Sequence, residues 1–287
     1  MTRPEPAVSW RIAVQHHTGY RYAAPVRASH NEARMTPVTG DGQQTLESRL
    51  EVSPAARPLR YADYWGTVVH AFDIHVPHTE LAVTSTSVVE TAGSHPEPPA
   101  LGWEALADRH VRDRFAELTV ASRYVVLEPE VVAVARAIAA EHDPVAAGRQ
   151  AGRWAHEQLS YERGATGVHS TSAEARAVGR GVCQDYAHLT LALLRAMDLP
   201  GRYVSGYLHT SREGSIGETT RGESHAWVEY WAGSWLPVDP SSLADVAERH
   251  VVVARGRDYA DVRPLAGVYR GPSAEALGVT VELTRLR

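Results

Sequence analysis

The chain has 287 residues, of which 44% are apolar and 22% are charged, a balance typical of soluble globular proteins. This length can fold as one large domain or as two domains of ordinary size. The net charge of −5 gives no sign of a phosphate-binding surface, so no nucleic-acid partner is expected. No run approaches the roughly 18 apolar residues that cross a bilayer, so no membrane partner is expected either.

The cysteine content and the first residues bear on the cellular compartment. The single cysteine cannot form an internal disulfide. The segment 1–6 carries charge and two prolines where a secretory signal would carry an apolar run. We therefore expect a cytoplasmic protein whose cysteine stays a free thiol.

The first third of the chain has the period of β-strands. Apolar and polar residues alternate in four segments, 12–14, 46–52, 68–76 and 81–89. Prolines and glycines separate these segments, as turns require. The sequence predicts an antiparallel β-sandwich over residues 1–93. The polar, proline-rich segment 94–100 is predicted to be a linker.

Beyond the linker the period changes to that of helices, and residues 101–287 are predicted to form a second domain. The expected helices are a helix pair or one broken helix over 103–118, two helices that begin at Pro129 and Pro144, and a short helix from Thr171 to Gly179. The segments 211–222 and 257–271 are expected to be loops. A final strand over 279–286 is expected to complete the sheet of this domain.

The short helix leads into Cys183, the only cysteine of the chain. Apolar residues after it, at 187, 189, 191, 193, 194 and 197, predict a buried helix with Cys183 near its N-terminus. The free N–H groups and the helix dipole at this end lower the pKa of a thiol and favour the nucleophilic thiolate. The alternative is a small core residue, which free cysteines commonly are.

Two later segments supply partners for the thiol. The segments 225–231 and 235–240 read as strands joined by a three-residue loop that contains glycine. If Trp231 pairs with Trp235, His225 and Asp239 become diagonal neighbours on one face, within reach of a hydrogen bond. Thiol, imidazole and carboxylate are the three groups of nucleophilic cysteine catalysis, so Cys183, His225 and Asp239 are the candidate catalytic residues.

Together, these segments resemble the transglutaminase-like superfamily of papain-like cysteine enzymes. The resemblance rests on the order and spacing of residues 181–188, 202–207, 224–229 and 235–240. The segments 256–262 and 267–271 and the β-rich N-terminal region are similar to a bacterial branch with a dedicated N-terminal β domain. The resemblance covers nearly the whole chain. It implies an α+β fold: a sandwich followed by helices packed on an antiparallel sheet, with the nucleophile at a helix N-terminus.

The resemblance also implies a mechanism and further site residues. Cys183 would attack an amide or ester carbonyl, His225 would carry the proton, and Asp239 would orient His225. The backbone N–H of Cys183 would hold part of the oxyanion, and Tyr161 is a candidate second donor. Trp227 lies on the His225 face of its strand and is a candidate wall of the site, although a packed strand tryptophan is the alternative.

The expected substrate is a peptide, a protein or a small amide, and three functions remain open. Water can discharge the acyl-enzyme, as in a cysteine protease or amidase, and this is the expected reaction. An amine can take the acyl group instead, as in a transglutaminase, or the chain can be a binding protein that only retains the fold. The sequence contains no calcium-loop pattern, and its histidines do not have the spacing of metal ligands. No metal or other cofactor is therefore expected.

Overall fold

The computed structural model describes residues 9–93 and 101–287. The predicted linker 94–100 therefore lies outside the described residues. Within the two described ranges, no helix is both long and apolar enough to cross a membrane. The structure is a mixed α and β fold with mainly antiparallel sheets, in agreement with the predicted fold class.

The strands are β1 (Ser9–Val26), β2 (Ser29–Ala33), β3 (Gln43–Ser53), β4 (Leu59–Ala62), β5 (Val68–Ile74), β6 (His78–Ala92), β7 (Ser160–Tyr161), β8 (Arg180–Gly181), β9 (Gly201–Leu208), β10 (Thr219–Gly222), β11 (His225–Trp231), β12 (Trp235–Val238), β13 (His250–Gly256), β14 (Leu265–Tyr269) and β15 (Ala274–Arg285). The helices are α1 (Trp103–Leu106), α2 (Arg109–Arg114), α3 (Pro129–Glu141), α4 (Pro144–Gln158), α5 (Ser172–Val178), α6 (Cys183–Ala196) and α7 (Tyr259–Val262).

The predicted β-sandwich is formed by two facing sheets. One sheet has the order β10-β15-β1-β6-β3, and the other has the order β14-β2-β5-β4. Alternate residues of β1 and β6 are buried, which is the period that the sequence shows. Tyr22, Phe72 and Leu81 belong to the apolar core between the two sheets.

The C-terminal strands belong to the sandwich and not to the sheet for which the last strand was predicted. The strand predicted near 279–286 does not complete the sheet of the second domain: it is part of β15, which pairs antiparallel with β1. The segments predicted to be loops also contain strands, because β10 pairs with β15 and β14 pairs with β2. Alternation in a sequence predicts a strand but not its neighbour. Strands from residues 101–287 therefore take part in both sheets of the sandwich.

A third sheet has the order β12-β11-β9-β13 and packs against α6, and β7 and β8 form a short fourth sheet. The predicted helices are confirmed: Pro129 and Pro144 begin α3 and α4, and Asp143 caps α4 by accepting from the Ala146 backbone N–H. Thr171 and Glu174 form the predicted capping box of α5. These helices surround α6, which is buried on all sides after Cys183.

The two halves share one apolar core. Trp10, Ile12 and Leu283 from the sandwich lie in the same cluster as Leu191 of α6 and Val228 of β11. A cluster of this kind is removed from water only when both halves are folded. The sheet that carries the candidate site is therefore supported from one side by the helices and from the other by the sandwich.

Candidate active site

The N-terminus of α6 is fixed by contacts of Asp185. Its carboxylate accepts hydrogen bonds from the Val182 backbone N–H at 2.8 Å and from the Thr166 hydroxyl at 2.6 Å. A Cβ on Gly181 would lie 2.6 Å from the same carboxylate oxygen, so only glycine allows this approach. Burial raises the pKa of Asp185, and the hydrogen bonds oppose that change. The contacts of Asp185 with Gly181 and Val182 therefore fix the backbone just before Cys183.

Cys183 occupies the first position of α6, as predicted. It is a free thiol, partly buried at the border of the core. The first N–H groups of a helix have no partner within the helix, and the dipole is positive at this end. The structure therefore places the thiol beside the free N–H groups of the helix and only partly buries it at the border of the core.

The β11–β12 hairpin brings His225 to Asp239. Trp231 pairs with Trp235 and Val228 pairs with Val238, which is the predicted register. His225 Nε2 lies 2.9 Å from Asp239 Oδ2 and donates a hydrogen bond to it. The predicted contact between the imidazole and the carboxylate is therefore present.

The Asp239 carboxylate is buried and held by the turn that follows it. Oδ1 accepts hydrogen bonds from the Ser241 backbone N–H at 3.0 Å and from the Ser241 hydroxyl at 2.8 Å. Oδ2 accepts from the Ser242 hydroxyl at 2.7 Å in addition to His225. Since these donors fix the orientation of the carboxylate, Asp239 can orient the imidazole in turn.

The contacts of His225 and Asp239 favour a charged imidazole. Burial alone would lower the pKa of His225, but the neighbouring Asp239 and Cys183 raise the pKa to about 10. Burial would likewise raise the pKa of Asp239, but His225, His250 and Ser242 hold it well below its usual range. Because Nε2 of His225 is taken by Asp239, Nδ1 is the nitrogen left for the thiol. A charged imidazole carries a proton on Nδ1 as well, so this nitrogen can act as a proton donor on the side of the thiol.

Tyr161 lies close to the cysteine, as its predicted role requires. The two-residue strand β7 pairs with β8 in parallel, and Tyr161 is opposite Gly181. The side chain is 54% exposed and stacks on Tyr186. Burial, and secondly the neighbouring Cys183, raise the pKa of Tyr161, so its hydroxyl stays a hydrogen-bond donor at neutral pH. Its role in an oxyanion hole stays a prediction.

Trp227 is placed against the imidazole but has no exposed surface. Its ring centroid lies 6.0 Å from that of His225, and the residue is fully buried. Trp227 therefore shields the His225 side of the site from water, while direct contact with a substrate would require movement of its neighbours. Trp227 is therefore both a packed strand tryptophan and a neighbour of the candidate site, so features of both alternatives from the sequence are present.

The structure adds His250, which the sequence analysis did not identify. Its Nε2 lies 3.8 Å from Asp239 Oδ2. Among the described residues, His225, Asp239 and His250 form a group whose ligand atoms lie within 4.8 Å of one another, a spacing open to a metal ion. A metal ion there would compete for the Nε2 and Oδ2 atoms that already bond each other. The register of β13 on β9 could not be read from the sequence, so nothing indicated that His250 faces Asp239.

Comparisons with known proteins match both halves of the chain. A family model of the bacterial transglutaminase-like N-terminal region matches residues 12–90, and a model of the transglutaminase-like superfamily matches residues 132–240. An uncharacterized protein of Mycobacterium leprae is 49% identical over 277 residues, which cover 96% of this chain and 99% of that protein. A protein-glutamine gamma-glutamyltransferase of Pseudomonas aeruginosa is 35% identical over 98 residues, which cover 31% of this chain and 14% of that protein.

The fold also matches a solved structure. The crystal structure of a candidate cysteine protease from Cytophaga hutchinsonii superposes with a TM-score of 0.79 at 19% sequence identity. The superposition covers 98% of this chain and 92% of that chain, so the sandwich and the helical half are arranged alike in both proteins. Sequence matches in both halves and the shared fold lead to one assignment: the chain belongs to the transglutaminase-like superfamily and carries its bacterial N-terminal region.

Proposed function

We propose that this protein is a thiol enzyme that takes an acyl group from a peptide or other amide onto Cys183. The observation that carries the proposal is the 2.9 Å bond between His225 Nε2 and Asp239 Oδ2, formed beside a partly exposed thiol at a helix N-terminus. A module that only binds a ligand needs no oriented imidazole next to a thiol. Nucleophilic catalysis needs both.

In the proposed reaction, the Cys183 thiolate attacks the substrate carbonyl and forms a tetrahedral oxyanion. The Cys183 backbone N–H stabilises that oxyanion, and the Tyr161 hydroxyl is the candidate second donor. The His225 imidazolium then gives its proton to the leaving amine, which departs as the carbon–nitrogen bond breaks. A thioester between the acyl group and Cys183 remains, and His225 is neutral.

Deacylation follows from the same contacts. The neighbouring Cys183 is among the causes that raise the pKa of His225, and acylation removes that contribution. Neutral His225 then takes a proton from water through Nδ1, and the resulting hydroxide attacks the thioester carbonyl. The acid leaves, and the thiolate–imidazolium pair is restored. Water can reach this thioester because Cys183 and Tyr161 are partly exposed, which supports hydrolysis.

Acyl transfer to an amine is the second candidate. It is supported by the 98 residues that are 35% identical to the protein-glutamine gamma-glutamyltransferase of Pseudomonas aeruginosa. The first steps are the same, and an amine replaces water as the acceptor.

The activated thiolate is tested without a substrate. Because the chain contains one cysteine, the rate of iodoacetamide labelling reports Cys183 alone. At about pH 6, we expect labelling at least about tenfold faster than that of a free thiol in the urea-unfolded chain. Equal rates would contradict the catalytic proposal and favour a binding protein.

The acceptor is tested with a panel of glutamine- and asparagine-containing peptides, incubated with and without a primary amine and followed by mass spectrometry. We expect release of peptide fragments or free acid by the wild-type protein and none by C183A. An amine adduct that needs Cys183 would instead establish transfer. If neither product forms while the thiol is activated, the acyl donor lies outside the peptide panel and the hydrolysis of these peptides is excluded.

A further inference from the structure

A second imidazole faces the carboxylate that orients His225. His250 begins β13 and is only 4% exposed. Its Nε2 lies 3.8 Å from Asp239 Oδ2, the same oxygen that accepts from His225 Nε2. The His250 ring also packs edge-on against Trp227, with centroids 5.2 Å apart. His250 therefore has a fixed place beside the Asp239 carboxylate.

The backbone sets the tautomer of His250. Its Nδ1 accepts a hydrogen bond from the Ala247 backbone N–H at 3.3 Å. A neutral imidazole has one N–H, so the proton of His250 is on Nε2 and faces Asp239. Burial lowers the pKa of His250, and the positive charges of His225 and Arg249 lower it further, against the attraction of Asp239. His250 thus faces Asp239 as a neutral donor.

The His250 Nε2 atom has no hydrogen-bond partner among the residues of 9–93 and 101–287. A buried N–H without a partner is costly unless it serves an electrostatic role. At 3.8 Å its dipole stabilises the Asp239 charge without a hydrogen bond. A movement of about 1 Å would bring it to hydrogen-bond distance.

We propose that His250 is a positioning residue, whose Nε2–H holds the Asp239 carboxylate in place and thereby keeps His225 aligned with Cys183. This inference rests on the proposed function, because alignment matters only if His225 and Cys183 exchange a proton. The contribution is largest when His225 is neutral, since Asp239 has then lost its positive partner. His250 supplies the donor in that interval, so the carboxylate does not turn away or take up a proton.

The test compares two substitutions of nearly equal length. In H250Q the amide can still donate to Asp239 and accept from the Ala247 N–H, whereas H250M fills the site without a donor. The readout is the rate of iodoacetamide labelling of Cys183 as a function of pH, which needs no substrate. H16Q is the matched control, because His16 is also a buried imidazole but bonds to Tyr207, away from Asp239.

We expect H250Q and H16Q to keep the wild-type pH profile within about twofold in rate. In H250M, a weaker hold on Asp239 lowers the stability of the His225 imidazolium, and the acid limb of the labelling profile moves up by about one pH unit. Melting temperatures establish that each variant is folded. If H250M is not folded, the same comparison is made between the isosteric pair H250N and H250L.

Two results would overturn the inference. One is a folded H250M protein with the wild-type pH profile, and the other is an H250Q protein as impaired as H250M, which would indicate packing alone. These results differ from a failure of the proposed function. In that case the wild-type thiol itself would react no faster than a free thiol.

Discussion

Asp239 has a donor for each of its oxygens, which makes it the fixed point of the site. Ser241 and Ser242 hold the carboxylate from the turn, and the His225 ring hydrogen-bonds to it directly. The hydrogen bond from His225 Nε2 to Asp239 Oδ2 orients the imidazole. The thiol, in contrast, is placed by the helix and not by the carboxylate.

Replacing Asp239 by asparagine tests the orienting role. D239N keeps the size of the side chain but removes the charge that supports the imidazolium, so we expect kcat/KM to fall at least about 100-fold on the substrate identified from the peptide panel. We also expect slower labelling of Cys183 at acid pH. D245N is the matched control, because Asp245 is a nearby exposed aspartate. An unaltered rate in folded D239N would contradict the assignment of Asp239.

The raised pKa of His225 predicts a change on alkylation. The Asp239 and Cys183 contacts raise it to about 10 against the effect of burial, and alkylation removes the contribution of Cys183. We expect His225 in the alkylated protein to titrate at lower pH than in the free-thiol protein. NMR titration of the ring protons measures this, with the His225 signal identified by its loss in H225N.

The contacts between His225 and Asp239 also make the free energy of unfolding depend on pH. A raised imidazole pKa contributes stability below the unfolded value of about 6.5 and loses it as the pH rises through about 10. The lowered pKa of Asp239 contributes stability above the unfolded value of about 3.9 and loses it as the pH falls. Urea unfolding should therefore show greater stabilisation from this pair near pH 5 than near pH 10. A larger contribution near pH 10 would contradict the assignment.

At the scale of elements, the N-terminus of α6 depends on the close approach of Gly181 to Asp185. In G181A the new Cβ displaces the carboxylate, which then loses its bond to the Val182 N–H. We expect labelling of Cys183 to slow by about 10- to 100-fold, because a displacement of about 1 Å is enough to misplace a nucleophile. G102A is the control, since a Cβ there meets nothing within 4 Å. Equal changes of the labelling rate in G181A and G102A would contradict this role of Gly181.

The sequence predicted those elements whose geometry is local. Proline and capping residues begin α3, α4 and α5, and a three-residue loop fixes the register that joins His225 to Asp239. The pairing of β15 with β1 and the approach of His250 to Asp239 were not predicted. Both depend on the three-dimensional arrangement of segments far apart in sequence, which periodicity does not encode.

At the scale of the whole molecule, Gln43 joins the sandwich to the site-bearing sheet. Its side chain donates to the Val38 and Val252 carbonyls at 2.6 and 2.9 Å and accepts from the Val252 N–H at 2.8 Å. Val252 lies two residues after His250, on β13. The sandwich therefore helps to place the strand that carries His250.

Replacing Gln43 by alanine removes all three bonds and leaves the Val252 N–H and carbonyl without this partner. We expect the free energy of unfolding to fall by about 1–3 kcal/mol, measured by urea denaturation. Q44A is the matched control, because Gln44 is exposed on the same strand and should change stability little. A Q43A protein as stable as Q44A would show that the contact does not hold the two halves together.

The pairing of β15 with β1 also has a consequence for synthesis. The residues of the site-bearing half lie in sequence between β6 and β15. During synthesis β1 can therefore pair with β6 early, but with β15 only after that half has left the ribosome. Contacts between distant segments slow folding, and an unpaired strand edge can pair with another chain. A ribosome that pauses before Ala274 therefore exposes the edge of β1, and chaperones that shield such edges would be needed most at that moment.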